Sequence, residues 1–300
     1  MRTLRADRRD VIGLDVLASP FTDVVASITD REAVRRALVG VDAVLHAATL
    51  HKPHVATHSA QAFVDVNVSG TLVLLEESAS AGVHAFVFTS STSVFGDALI
   101  PAAGQPAAWI TEDVVPVPKN IYGATKAAAE DLCQLFHRNH GLSCIVLRVS
   151  RFFPEEDDNP AMLRAFDDAN IKANEYLYRR VAIEDVVSAH LCALERAPAI
   201  GFGRYVISAT TPFRPEDCEV LRRDAPAVLA ERVPEYAPTY ARLGWRMFPV
   251  LDRVYSAERA RVELRWRPAT DFASALALLR HGTDVRSELA RQVGSKGYHR

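Results

Sequence analysis

Gly40-Val-Asp-Ala-Val-Leu-His-Ala-Ala48 and, farther along, Ala85-Phe-Val-Phe-Thr89 decide the fold class. Each is a short, continuous apolar run, the pattern of a strand buried on both faces of a parallel sheet. Between them, Val68, Leu72, Leu75 and Ala79 recur at helical spacing, and Gly82 follows as a stop, so residues 64–81 read as a helix. Toward the N-terminus, Thr29 to Leu38 carries early acids and late arginines, the charge order of a helix aligned with its dipole. The run Asp10-Val-Ile-Gly-Leu-Asp15-Val predicts another buried strand. Toward the C-terminus, residues 122–140 read as a long helix closed by Gly141, and Ser143-Cys-Ile-Val-Leu-Arg148 as the next strand. Strands alternating with long helices predict an α/β protein, a doubly wound parallel sheet with helices on both faces. After about residue 155 the pattern loosens. The expected division is therefore a first domain over residues 1–155 and a smaller mixed region over 156–300, with 178–210 partly returning to the core.

Composition narrows the class of function. The chain has 300 residues, 49% hydrophobic and 24% charged, which excludes a disordered polymer. Its 35 basic and 37 acidic residues give a net charge of -2, so bulk electrostatics offer no case for nucleic acid or an anionic membrane. No apolar run approaches the length needed to span a bilayer, and arginines crowd the start where a signal peptide would be apolar. These features predict a cytoplasmic protein. Cys133, Cys144, Cys192 and Cys218 are scattered and read as buried, reduced thiols. His46, His51, His54 and His58 are close in sequence, but Lys52 and Pro53 interrupt them, and no metal site is expected.

Ligands of such sheets bind beyond the carboxyl ends of the strands. That directs attention to Asp15, to Ala47 and Ala48, to Ser90–Ser93, and to the stretch from Arg148 to Pro154. Tyr122-Gly-Ala-Thr-Lys126 is the most informative pentad. Positions i and i+4 share a helix face, so a phenol and an ammonium can point into one site. An ammonium there favours the phenolate and lowers the tyrosine pKa, which suits Tyr122 to exchange a proton with a hydroxyl/carbonyl pair. Upstream, hydroxyls at the end of a buried strand, Thr89-Ser90-Ser91-Thr92-Ser93, can hydrogen-bond a substrate oxygen.

With these residues in order the chain resembles the extended short-chain dehydrogenase/reductases, in particular the NAD-dependent epimerase/dehydratase family. The resemblance is collinear from about Arg2 to Phe272. It is carried by Val11-Ile-Gly-Leu-Asp15, Gly40 to Ala48, Val66-Asn67-Val-Ser-Gly70-Thr71, Phe88 to Gly96, Tyr122 to Lys126, Arg148 to Pro154, Ile183-Glu-Asp185-Val-Val-Ser-Ala-His190 and Ala257 to Pro268. It implies a Rossmann-type fold and an NAD-dependent oxidoreductase or isomerase acting on a hydroxyl/keto substrate, including nucleotide sugars. It also implies that the domain over residues 1–155 binds the dinucleotide and the region over 156–300 the small-molecule substrate. Tyr122 is implied as the acid/base, Lys126 as the holder of the nicotinamide ribose, and Ser91 as the hydroxyl on the reacting oxygen, with Ser90 and Thr92 as neighbouring alternatives. Cofactor-binding roles are implied for Asp15, Ala47, Ala48, Asn67, Phe153 and Pro154 as well as Tyr122 and Lys126. A carboxylate at Asp15 suits a free ribose 2′-hydroxyl and repels a 2′-phosphate, favouring NAD over NADP. A homodimer through the helix of Tyr122 is implied by the same resemblance.

Departures from the family pattern set further expectations. The family opens with a strand and a glycine-rich turn that cradles the cofactor pyrophosphate on a helix N-terminus. Here Arg2-Thr-Leu-Arg-Ala6 reads as the end of that first helix, so the first strand and the glycine-rich turn are lacking. Either a late start assignment or a natural truncation accounts for this, and the expected consequence is weak NAD binding and low stability. The residues Tyr178-Arg-Arg-Val-Ala-Ile183 also depart from the nucleotide-sugar pattern, with Arg151, Arg179 and Arg180 as candidate clamps for a phosphate or carboxylate. Trp245, Trp266 and Tyr240 read as core residues or as lining of a substrate cap. Two other readings stand beside the epimerase/dehydratase one: a dehydrogenase of small ketones or aldehydes, and a catalytically silent or regulatory binding protein on the same fold.

Overall fold

The computed structural model describes residues 1–152, 157 and 159–294. Its strands are β1 (Leu14–Asp15), β2 (Val24–Val25), β3 (Ala43–His46), β4 (Ala85–Ser91), β5 (Ala108–Ile110), β6 (Ser143–Val149), β7 (Phe202–Ile207) and β8 (Arg253–Tyr255). They form a β1–β2 pair, a four-stranded sheet in the order β3–β4–β6–β7, and a β5–β8 pair. β3 and β4 run parallel, with Ala43 opposite Ala85 and His46 opposite Phe88. β1–β2 and β5–β8 are parallel as well. The chain forms two compact units, one of residues 1–94, 118–148 and 190–204, the other of 95–117, 149–189 and 205 onward.

The first unit holds α1 (Arg2–Ala6), α2 (Arg31–Ala37), α3 (Ala60–Phe63), α4 (Gly70–Ser80) and α5 (Ile121–His140). Local chemistry sets their limits. The Asp30 side chain accepts from the Ala33 N–H at the start of α2, and Arg35 and Arg36 lie in its last turn. Asn120 caps α5 by accepting from the Gly123 N–H, and Gly141 ends that helix in the left-handed conformation at φ 70°. Phe86, Phe88, Cys144 and Val146 meet Leu75, Val34, Ala129, Cys133 and Phe136 in one buried cluster. The helix expected over 64–81 is broken in its first part: residues Val64–Ser69 form a π-turn before α4 begins at Gly70. Wider turns of this kind swing a side chain out of the helical register, and here the residue turned inward is Asn67, 2% exposed.

The strand expected over residues 11–16 shrinks to Leu14–Asp15. Its neighbour Gly13 is engaged across the loop: the Gly13 N–H donates to Asp23 Oδ2, and its carbonyl accepts from the Asp23 and Val24 N–H groups. Ile12, Val16 and Leu17 remain exposed. Among the described residues no ladder joins β1 to β3, so the doubly wound sheet is present as separate parallel ladders.

The second unit adds α6 (Pro160–Ala165), α7 (Asp168–Glu175), α8 (Ile183–Ile200, which runs on into the first unit's residues), α9 (Cys218–Leu221), α10 (Ala225–Arg232), α11 (Tyr236–Leu243), α12 (Phe272–Arg280) and α13 (Glu288–Val293). Leu177, Phe213, Leu221, Leu229, Val254, Phe272 and Leu276 belong to its core. Trp266 and Tyr240 are core residues with satisfied polar tips. The Trp266 indole donates to the Asp185 carbonyl and Ser188 Oγ, and the Tyr240 hydroxyl donates to Asn174 Oδ1. Trp245 packs partly buried against the same cluster. Cys133, Cys144 and Cys218 are buried free thiols, and Cys192 is half-buried.

Candidate active site

The site is built where β4 ends against the first turn of α5. Ser91 closes β4, and its Oγ accepts the Ser93 N–H and pairs with Ser93 Oγ, both at 3.1 Å. Asn120 Oδ1 receives the Gly123 N–H at 3.0 Å and fixes where α5 starts. That start places Tyr122 in the first turn, 3% exposed, with the Ser91 hydroxyl near enough to its phenol to act on its ionisation. Gly123 is what permits this approach: a Cβ there would lie 2.6 Å from the Ser93 carbonyl oxygen. Lys126, one turn along and 2% exposed, rests its ammonium 4.1 Å from the centroid of the Phe88 ring.

Burial governs the ionisation of this group. Tyr122 is pushed up to about 12 by loss of solvation, and the neighbouring Ser91 hydroxyl pulls it back only in part. Lys126 is pushed down to about 7 by the same cause, while Glu130 and Cys133 pull it up. The sequence-based expectation that the ammonium lowers the tyrosine pKa is thus corrected. In so dry a site desolvation outweighs the pair, and the lysine itself is only partly charged near neutral pH.

A carboxylate that sequence reasoning did not single out underlies the site. Glu130, 1% exposed, accepts from Ser90 Oγ at 2.6 Å, from Arg148 Nη2 at 2.8 Å and from Arg204 Nε at 3.2 Å. Ser90 is therefore committed to Glu130, which separates it from Ser91 as the hydroxyl beside Tyr122. The available signal was its spacing: residues 122, 126 and 130 continue one face of α5, and a charge on that face needs a buried partner.

The turn after β3 is tied to α5 by Asn67. Its Oδ1 accepts from Leu50 N at 2.8 Å and Thr49 Oγ1 at 2.9 Å, and its Nδ2 donates to Leu50 O at 3.0 Å and Thr125 Oγ1 at 3.1 Å. In that position the His51 ring meets the Tyr122 ring edge-on, centroids 5.1 Å apart at 73°. His46 lies at the end of β3. Its Nε2 is 2.9 Å from Thr71 Oγ1, whose hydrogen goes to the Asn67 carbonyl, so Nε2 carries the imidazole hydrogen. Burial, with Lys126 adding, holds His46 down at about 3, and the ring stays neutral.

The remaining predicted residues are placed by strand ends. Asp15 closes β1, exposed, and its Oδ1 accepts the Leu17 N–H at 2.9 Å. Ala47 and Ala48 directly follow β3. Phe153 and Pro154 lie outside the described residues. The arginines offered as clamps converge on a protein carboxylate instead. Glu175, 1% exposed, accepts from Arg180 at 2.7 Å, Arg179 at 2.8 Å and Arg151 at 3.1 Å, and Arg151 also pairs with Asp157 at 2.7 Å. Among the described residues no group of three or more His, Cys, Asp or Glu is arranged to hold a metal ion, and no helix is long and apolar enough to cross a membrane.

The sequence pattern of the NAD dependent epimerase/dehydratase family matches residues 1–208. The chain belongs to that family. Among curated relatives it is 33% identical over 131 residues to an NAD-dependent glucose-6-phosphate dehydrogenase of Haloferax volcanii, covering 42% of this chain and 49% of the relative. The chain thus spans about half the length of the curated relatives it matches. Among solved structures, a short-chain dehydrogenase/reductase superfamily protein from Agrobacterium tumefaciens with bound NAD superimposes with a TM-score of 0.64 at 21% identity, over 97% of this chain and 94% of that one. UDP-glucose 4-epimerase of Thermotoga maritima gives 0.63 at 22% identity, again over 97% and 94%. At these identities the likeness bears on the fold: the ladders described above are those of an epimerase/dehydratase-type α/β protein.

Proposed function

We propose that the chain is an NAD-dependent oxidoreductase of the epimerase/dehydratase type, acting on a secondary hydroxyl or its ketone in a sugar-like substrate. The observation that carries this reading is the buried pairing of Tyr122 with Ser91, with Lys126 one turn along the same helix face. The activities of the relatives, a glucose-6-phosphate dehydrogenase and a UDP-glucose 4-epimerase, support a sugar as the substrate.

The residues present suit the two ribose ends of a dinucleotide. Asp15 stands exposed at the carboxyl end of β1, one of its oxygens held by the Leu17 N–H, and it would accept from the adenosine ribose hydroxyls. Lys126 and Tyr122 would hold the nicotinamide ribose. Glycine-rich backbone for a pyrophosphate is not found among the described residues before β3, where Gly13 and Gly40 are the only glycines. When bound, nicotinamide supplies the two-electron exchange at the carbon bearing the reacting oxygen. The chain's own part is proton chemistry. In the reducing direction Tyr122 gives its phenolic proton to the carbonyl oxygen, and a phenol held up at about 12 is protonated and ready to do so. In the oxidising direction the same oxygen takes the alcohol proton, and the neighbouring Ser91 hydroxyl favours the phenolate that this needs. Ser91 polarises the substrate oxygen from its other side.

The test is NADH formation from NAD with glucose 6-phosphate and glucuronate, and conversion of UDP-glucose to its C4 epimer, which recycles the hydride, by wild-type protein and Tyr122→Phe. Turnover that falls by about 10²-fold or more in the variant supports the reading. Turnover indifferent to Tyr122 rejects it.

A further inference from the structure

We propose that the turn following β3, residues 51–58, recognises an anionic group on the substrate, a carboxylate or a phosphate, beside the hydroxyl that Tyr122 works on. This rests on the reading of Tyr122 as the proton-exchanging residue. Three observations carry it.

The first is place. His51 meets the Tyr122 ring edge-on at 5.1 Å, so the turn forms part of the wall around the phenol. The second is charge. Between Asp42 and Asp65 the chain has no carboxylate side chain, while the turn carries Lys52 and the imidazoles of His51, His54 and His58. Lys52 and His58 are exposed, and His51 and His54 are half-buried. His54 and His58 lie with ring centroids 5.2 Å apart. Burial and the neighbouring His58 hold His54 below its ordinary pKa, a cost that an arriving anion would relieve. The third is rigidity. Asn67 makes four hydrogen bonds that bind Thr49 and Leu50 to α5, Pro53 stiffens the first turn of the 3₁₀ segment Lys52–Ala56, and His54 Nδ1 accepts the His51 N–H at 2.9 Å. That bond leaves Nε2–H as the donor of a neutral His54. A turn with one ammonium and imidazole N–H donors, held this firmly beside a reacting hydroxyl, discriminates substrates by charge at little ordering cost.

The same chemistry would suit the pyrophosphate of the dinucleotide, and the experiment separates the two sources. Binding of NAD is measured by calorimetry, followed by glucuronate, glucose 6-phosphate and glucose added to NAD-saturated protein. The series is repeated on Lys52→Met and on Lys52→Met/His54→Gln, with melting temperatures confirming that each variant folds. The expected result is that at least one anionic sugar binds about tenfold or more tightly than glucose, and that the variants lose this margin while their affinity for NAD is kept. Equal affinity for all three sugars, including none for any, overturns the proposal. So does a loss of NAD affinity matching the loss of sugar affinity, which would assign the turn to the pyrophosphate. Tyr122→Phe distinguishes this from the underlying reading: unchanged turnover in that variant rejects the role of Tyr122 whatever the sugar affinities are.

Discussion

Gly123 and Ser93 touch so closely that a single methyl group would not fit between them: the Cβ of any other residue at 123 would stand 2.6 Å from the Ser93 carbonyl oxygen. The contact sets how near the start of α5 comes to the end of β4, and so whether Tyr122 reaches Ser91.

Gly123→Ala is expected to push α5 away from β4 and to cost about 1–3 kcal/mol of stability, as overpacking does. Activity should fall more than stability alone explains, because Tyr122 is drawn away from Ser91. Denaturant melts and NADH-forming rates on the same sample check this, and a fully active, wild-type-stable alanine variant would contradict it.

Lys126 makes stability depend on alkaline pH. The folded protein holds it at about 7, whereas in an unfolded chain lysine titrates near about 10.4. Between those values the unfolded state binds a proton that the folded state lacks, so this residue's contribution to stability rises with pH from about 7 to about 10 and is flat below. Lys126→Met should remove that slope in urea melts compared across this range. Identical slopes in the two proteins would show that the folded lysine titrates normally.

Glu130→Ala should be among the most damaging single changes in the first unit. It leaves Arg148 buried without its carboxylate and frees Ser90, a loss of about 3–5 kcal/mol for a buried ion pair broken from one side. Glu130→Gln should be milder. A melting temperature near wild type for the alanine variant would refute the expectation.

Asn67→Ala should loosen the turn after β3. Four hydrogen bonds are lost, Leu50 and Thr125 lose partners, and a cost of about 1–3 kcal/mol follows from buried polar groups left unpaired. Hydrogen exchange at the Leu50 N–H should quicken in the variant, while exchange in β4 holds. Protection at Leu50 equal to wild type would show that other contacts fix the turn.

Much of the sheet was legible because β3, β4 and β6 lie in short, largely apolar runs, and α5 was legible because its helical spacing ends at Gly141. The β1–β2 ladder was not, since two-residue strands carry no period and Val24–Val25 does not stand out from its loop. The π-turn at Val64–Ser69 was hidden for the opposite reason: its apolar spacing imitates an ordinary helix, and only the inward turn of Asn67 reveals the extra residue. In the site, the pentad at 122–126 announced the phenol and the ammonium, but the direction of their ionisation depends on how dry the pocket is, which spacing alone does not convey. The arginines at 151, 179 and 180 looked like ligands of an external anion. Their partner, Glu175, lies just before two of them in sequence, yet its burial becomes visible only in three dimensions.

Glu130 is at once the clasp for Arg148 and Arg204 and the foremost carboxylate raising the Lys126 ammonium. Reactivity and folding therefore draw on one side chain. A protein engineer who wished to shift the working pH of the lysine by altering that carboxylate would weaken the scaffold in the same stroke, so compensating changes would have to come from the opposite, solvent-facing side of the helix.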